Sequence, residues 1–193
     1  MYRTLLAGSA LVALATPLAA QTVVEAKRTQ PIRTSELKNG AGDSVKVTKD
    51  GSIELTSGSA ITVDSDHTAT NEGKLIVSNA DGASGIEVTG DRQGNIVNSG
   101  TITVDETYTA TDADKDGDID GPFAVGTDRA GIRVRGNLTG DIRHSGTITV
   151  EGNQSAGISV AGTLDGDFVH DGKTGVLGDG STGVLVHDVT GDV

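Results

Sequence analysis

A hexapeptide returns at a fixed interval. Gly131-Ile132-Arg133-Val134-Arg135-Gly136 recurs 26 residues later as Gly157-Ile158-Ser159-Val160-Ala161-Gly162, and after another 26 as Gly183-Val184-Leu185-Val186. An upstream copy, Gly85-Ile86-Glu87-Val88, lies 46 residues before Gly131, one period plus 20. A second signature follows the first: Asn98-Ser99-Gly100-Thr101-Ile102-Thr103-Val104 and His144-Ser145-Gly146-Thr147-Ile148-Thr149-Val150, with weaker forms at 71–77 and 170–176. A third sits between them, as Gly94-Asn95-Ile96, Gly140-Asp141-Ile142, Gly166-Asp167-Phe168 and Gly191-Asp192-Val193. A repeat of this length constrains the fold strongly, because each unit must bury its apolar face against its neighbours.

Each period holds three short segments in which apolar and polar residues alternate, fenced by Gly, Asn or Asp. That is the pattern of short strands joined by tight turns and leaves no room for helices. Three strands per period of 22 to 27 residues predict an all-β parallel β-helix, a single-stranded solenoid in which every strand pairs with its equivalent one coil away, about 4.8 Å distant. A β-sandwich, the competing fold, requires no such fixed recurrence. The expected inward ladders are Ile61, Ile86, Ile132, Ile158 and Val184; Val63, Val88, Val134, Val160 and Val186; Leu75, Ile102 and Ile148, broken by Thr174; and Val77, Val104, Val150 and Val176. Composition agrees: Leu, Ile, Val and Phe make up about a quarter of the chain, with 28 Gly, two Phe and no Trp, so the core is aliphatic and finely divided. About five coils are expected over residues 43–193, with 21–42 as a leader or N-terminal cap.

Residues 1–20 carry Arg3, an apolar stretch from Leu5 to Ala15 and small residues before Gln21. This reads as a cleavable signal peptide, being too short to span a bilayer, and it implies export. The chain has no cysteine, so disulfides do not stabilise it in an oxidising compartment. Its formal net charge of −12 excludes nucleic acid as a partner, since phosphate binding needs a basic face.

The signal segment, the absence of cysteine, the few aromatics and the recurring NSGTITV and HSGTITV units resemble the passenger region of a Gram-negative autotransporter over nearly all of residues 43–193. The resemblance implies a right-handed β-helix, passage through the outer membrane, and residence at the cell surface or outside the cell as an adhesin or stalk. It also implies a host-surface, extracellular-matrix or polysaccharide ligand. Such proteins end in a membrane β-barrel translocator, whereas this sequence stops at Val193 without barrel strands, so the chain is expected to be a fragment of a longer protein.

The extra 20 residues fall in an insertion, residues 105–129. Taking Asp112 as position 1 of a calcium loop, Asp112, Asp114, Asp116 and Asp120 occupy positions 1, 3, 5 and 9, Gly117 position 6 and Asp118 position 7, where a backbone carbonyl is used. Alternating carboxylates wrap a hard cation while the glycine permits the sharp turn. Position 12, normally a bidentate acid, is Phe123, so Asp128 or Glu106 is expected to complete the shell. Between Asp105 and Asp128 stand eight of the 27 acids and one lysine, whose self-repulsion favours disorder without a cation. The metal is expected to be Ca²⁺, bound weakly at about 10⁻⁴ to 10⁻³ M as in extracellular modules.

Other polar repeats read as turns. Asn71, Asn98, His144 and His170 share one position, and Asn95, Asp141, Asp167 and Asp192 another; both suit turn hydrogen bonding better than metal binding or catalysis. The sequence thus points to an exported scaffold or adhesin-like passenger that is not an enzyme. A secreted β-helix polysaccharide lyase or hydrolase, using paired carboxylates such as Asp141 and Asp167, is the alternative.

Overall fold

A computed structural model describes residues 21–193; the segment read as a signal peptide lies outside them. The chain winds through six coils, visiting three parallel sheets in the same order each time. The first sheet stacks Thr22–Val24, Val45–Val47, Ala69–Asn71, Ile96–Asn98, Ile142–His144 and Phe168–His170. The third sheet stacks Lys27–Arg28, Ser52–Leu55, Lys74–Ser78, Thr101–Asp105, Thr147–Glu151 and Lys173–Leu177. The remaining sheet, called the second, stacks Ile32–Arg33, Ile61–Val63, Ser84–Val88, Ala130–Val134, Ala156–Asp165 and Thr182–Val189. The architecture is that of a right-handed parallel β-helix.

The ladders pair as the repeat dictates. Ile61, Ile86, Ile132, Ile158 and Val184 are in register, as are Val63, Val88, Val134, Val160 and Val186. On the third sheet Leu75, Ile102, Ile148 and Thr174 align, beside Val77, Val104, Val150 and Val176. Every Ile in these columns is fully buried. The side chain that interrupts the Leu75 column has its own partner: Thr174 Oγ1 lies 2.9 Å from His170 Nε2. A further apolar column, Leu138, Leu164 and Val189, follows the second sheet around its corner and extends Ala156–Asp165 beyond the three-strand unit.

The solenoid counts one coil more than the five or so expected, because residues 21–42, read as a leader or N-terminal cap, are built into it. Residues 21–42 supply the first coil: Thr22 pairs with Val45, Lys27 with Ser52 and Ile32 with Ile61. Its strands are two or three residues long and contribute single buried side chains, Val24 and Ile32. A strand that short cannot show an alternation, so the coil carries no period of its own.

The glycine that opens each GIxV unit has a steric role. A Cβ on Gly85 would run into Ile102 Cγ2, one on Gly131 into Ile148 Cγ2 and one on Gly157 into Thr174 Cγ2. The second-sheet strand therefore passes directly over the third-sheet ladder, a close approach that only glycine allows. The turn ladder is equally regular. Asn95 Oδ1 accepts the N–H of Asp141 (2.9 Å), Asp141 Oδ1 that of Asp167 (3.0 Å) and Asp167 Oδ1 that of Asp192 (3.2 Å). Each side chain thus satisfies a backbone donor one coil further on.

Candidate metal centre

The fourth coil contains the insertion. Where Thr101–Asp105 ends, the chain leaves the solenoid, returning at Ala130–Val134. Glu106 closes the base: Oε1 accepts the N–H of Val125 and Oε2 that of Gly126, both at 2.7 Å, and Oε2 also meets Arg129 Nη1 at 2.9 Å. Arg129 is buried and donates further to the carbonyls of Ala80 (3.1 Å) and Glu151 (2.7 Å). Burial pushes the Glu106 carboxyl up, but the two N–H donors and the guanidinium outweigh it and hold the group below its ordinary value. By register, Arg129 stands where the adjacent coils have Ala83 and Ser155. A lone arginine replacing small residues at a strand entrance is the signal that marks this clasp.

Out along the insertion, the loop adopts the turns its sequence predicts. Asp112 Oδ1 accepts the N–H of Lys115 (2.5 Å) and Oδ2 that of Gly117 (3.0 Å). Asp114 accepts from Asp116 (3.2 Å), Asp116 from Asp118 (3.0 Å), and Asp120 Oδ2 from Ala113 and Asp114 (2.6 and 3.2 Å). Gly117 has φ 103°, the left-handed turn expected at position 6. One carboxylate oxygen from each of Asp112, Asp114 and Asp116 falls within 4.8 Å of the others. Asp118 and Asp120 stand outside this trio. Three hard oxygen donors converging on a glycine turn fit a calcium ion in kind.

The expectation that Asp128 or Glu106 completes the shell is not met. Glu106 is spent on the clasp, and Asp128 pairs with Arg133 at 3.0 Å. Phe123, at position 12, is exposed and offers no oxygen from its side chain.

The other polar candidates are structural in their contacts. Asn71 Nδ2 donates to Asn98 Oδ1 (2.8 Å), and Asn98 Nδ2 lies 3.0 Å from His144 Nδ1. The His144 ring, buried, donates from Nε2 to the carbonyl of Lys173 (3.2 Å) and meets the edge of His170 at 5.0 Å between centroids. Burial pushes the His144 imidazole below its ordinary pKa. Asp141 and Asp167 share the guanidinium of Arg143, whose Nη2 is 3.0 and 3.3 Å from them. That cation accounts for two like charges stacked one coil apart.

A family model described as the BigA third pectate lyase-like domain matches residues 18–188. Comparison with curated proteins and with solved structures returns no match. The matched span covers all six coils and the insertion, with their three parallel sheets, and the chain therefore belongs to the BigA third pectate lyase-like domain family.

Proposed function

We propose that the chain is an exported scaffold of adhesin-like type, the passenger region of an autotransporter-like surface protein. In this reading the solenoid is a stiff rod and the insertion a protrusion ordered by calcium. The observation that carries it is the clasped insertion: six coils stack in continuous register, and the one long excursion is pinned at its base by Glu106 and Arg129. Such a design holds a loop outward from a rigid support, as presentation to a surface or matrix partner requires. The signal-like residues 1–20 support export.

The side chains of Asp112, Asp114 and Asp116 would hold the calcium ion, with the carbonyl of Asp118. When bound, the ion supplies positive charge that offsets the carboxylate repulsion within the loop. The residues themselves set the loop's path through the Asx turns, and Lys115 is the lone cation between Asp105 and Asp128.

A polysaccharide lyase or hydrolase is the alternative, favoured by the family's description. Its best carboxylate pair, Asp141 and Asp167, is tied up by Arg143 and by backbone N–H groups of the turn ladder. The test is incubation of the purified chain with acidic polysaccharides, with and without calcium, following new reducing ends. The scaffold reading expects no turnover; reproducible cleavage that is lost in Asp141→Ala would replace it with the enzymatic one. Protease shaving of intact cells expressing the protein with residues 1–20 tests export, and protection of the chain from the protease would refute surface display.

A further inference from the structure

Besides its acids, the insertion carries an apolar groove of about 440 Å³, lined by Tyr108, Thr109, Ile119 and Phe123 from the insertion and by Glu151 and Leu177 from the third sheet. Ile119, Phe123 and Leu177 are all exposed, at 45 to 55%. Tyr108 and Phe123 are the two aromatic side chains outside the core among the described residues, Phe168 being buried. A chain this poor in aromatics places both on one wall. Aromatic side chains grouped in an exposed groove mark an interaction surface, because they bury large apolar area at little entropic cost.

Both limbs bearing the rings are fixed to the solenoid. The N–H of Thr107 donates to Asn79 Oδ1 (2.9 Å), and the carbonyl of Ala124, itself fully buried, accepts from Asn153 Nδ2 (2.8 Å). The groove is thus held open in advance of binding, which lowers the ordering cost of docking. One acid, Glu151, lines it, and two more, Asp118 and Asp120, flank its Ile119 in the sequence.

We propose that this groove docks a cationic, apolar peptide segment of a protein partner. The charge decides the class. Lysine or arginine beside apolar side chains would meet carboxylates and ring faces together, whereas an acidic polysaccharide or an anionic membrane would be repelled. A neutral sugar needs many directed hydrogen bonds, and here Thr109, Glu151 and the Tyr108 hydroxyl are the polar side-chain groups lining the groove. The inference concerns the neighbouring surface and does not rest on calcium occupying the loop.

The test is fluorescence anisotropy of a short labelled peptide alternating Leu or Phe with Lys, titrated with the full chain, first in chelator and again in millimolar calcium. The same peptide with Glu in place of Lys, and neutral and acidic oligosaccharides as competitors, serve as comparison. Saturable binding of the Lys peptide, weakened about tenfold by Phe123→Ala, restored by Phe123→Tyr and unchanged by Val125→Ala outside the groove, is the expected result. Absence of binding, binding indifferent to Phe123→Ala, or displacement by an oligosaccharide would overturn the proposal. Because the first titration contains no calcium, failure of the metal reading leaves its outcome interpretable.

Discussion

Glu106 and Arg129 face each other across 2.9 Å where the insertion leaves and rejoins the fourth coil, their side chains 4% and 3% exposed. Two opposite charges so deeply placed need hydrogen bonds on all sides, and both have them: two N–H donors on the carboxylate, two carbonyls on the guanidinium. The pair joins residues 23 apart in sequence, so the excursion's ends stay together whatever its tip does.

Removing one partner strands the other's charge. Arg129→Met is expected to cost about 3 kcal/mol of unfolding free energy. Glu106→Gln, which keeps an acceptor oxygen for one N–H, should cost less. Denaturant titration followed by circular dichroism gives both numbers, and stability unchanged in Arg129→Met would show that the clasp is dispensable.

Calcium binding should be weak because position 12 lacks its acid. A calorimetric titration is expected to give a dissociation constant of about 10⁻⁴ to 10⁻³ M, abolished in Asp112→Ala and Asp116→Ala. Phe123→Glu restores a position-12 carboxylate and should tighten binding about tenfold. Heats that persist in both alanine variants would place any bound cation elsewhere.

Gly131→Ala tests the close approach of the second and third sheets. The added methyl meets Ile148 Cγ2 and the carbonyl of Gly157; the backbone there is not in the left-handed region, so the cost is steric. About 1 to 3 kcal/mol is expected. Pairing it with Ile148→Ala, which removes Cγ2, should cost less than the sum of the two single changes, and strict additivity would contradict the proposed contact.

The buried imidazole of His144 sets a pH dependence. In its neutral form Nδ1 accepts from Asn98 and Nε2 donates to the carbonyl of Lys173, while His170 is the titratable group at its edge. Asn98 cannot readily reverse its amide, since its oxygen is committed to Asn71. With the folded pKa below the usual value of about 6.5, the unfolded chain binds the proton first. Stability from this site is therefore complete above about pH 6.5 and declines as pH falls toward the folded pKa. Glu106, its pKa also lowered, stabilises the fold above the ordinary glutamate range of about 4.3 and loses that contribution further down. Denaturation midpoints at pH 7.5 and 5.5 should differ in the parent and differ less in His144→Gln; equal differences would locate the titration at another group.

The solenoid, its register and most of its core are legible in the sequence because the interactions that specify them are periodic. An isoleucine at one position in five of the six coils, with Val184 in the last, forms a single stack, and the glycine before it at Gly85, Gly131 and Gly157 marks a strand crossing another. The alternating acids from Asp112 to Asp120 likewise predict the turns they form, since Asx turns are local. What no period encodes is what the tertiary structure decided. The first coil has strands too short to alternate, yet it pairs, with Ile32 stacked on the ladder at Ile61. The fates of Glu106 and Asp128 were set by Arg129 at the mouth of the next strand and Arg133 within it, and the clasp and the Tyr108–Phe123 groove join residues from both limbs of an excursion. Contacts made once, between residues far apart in sequence, leave no repeated trace, and only the folded chain brings them together.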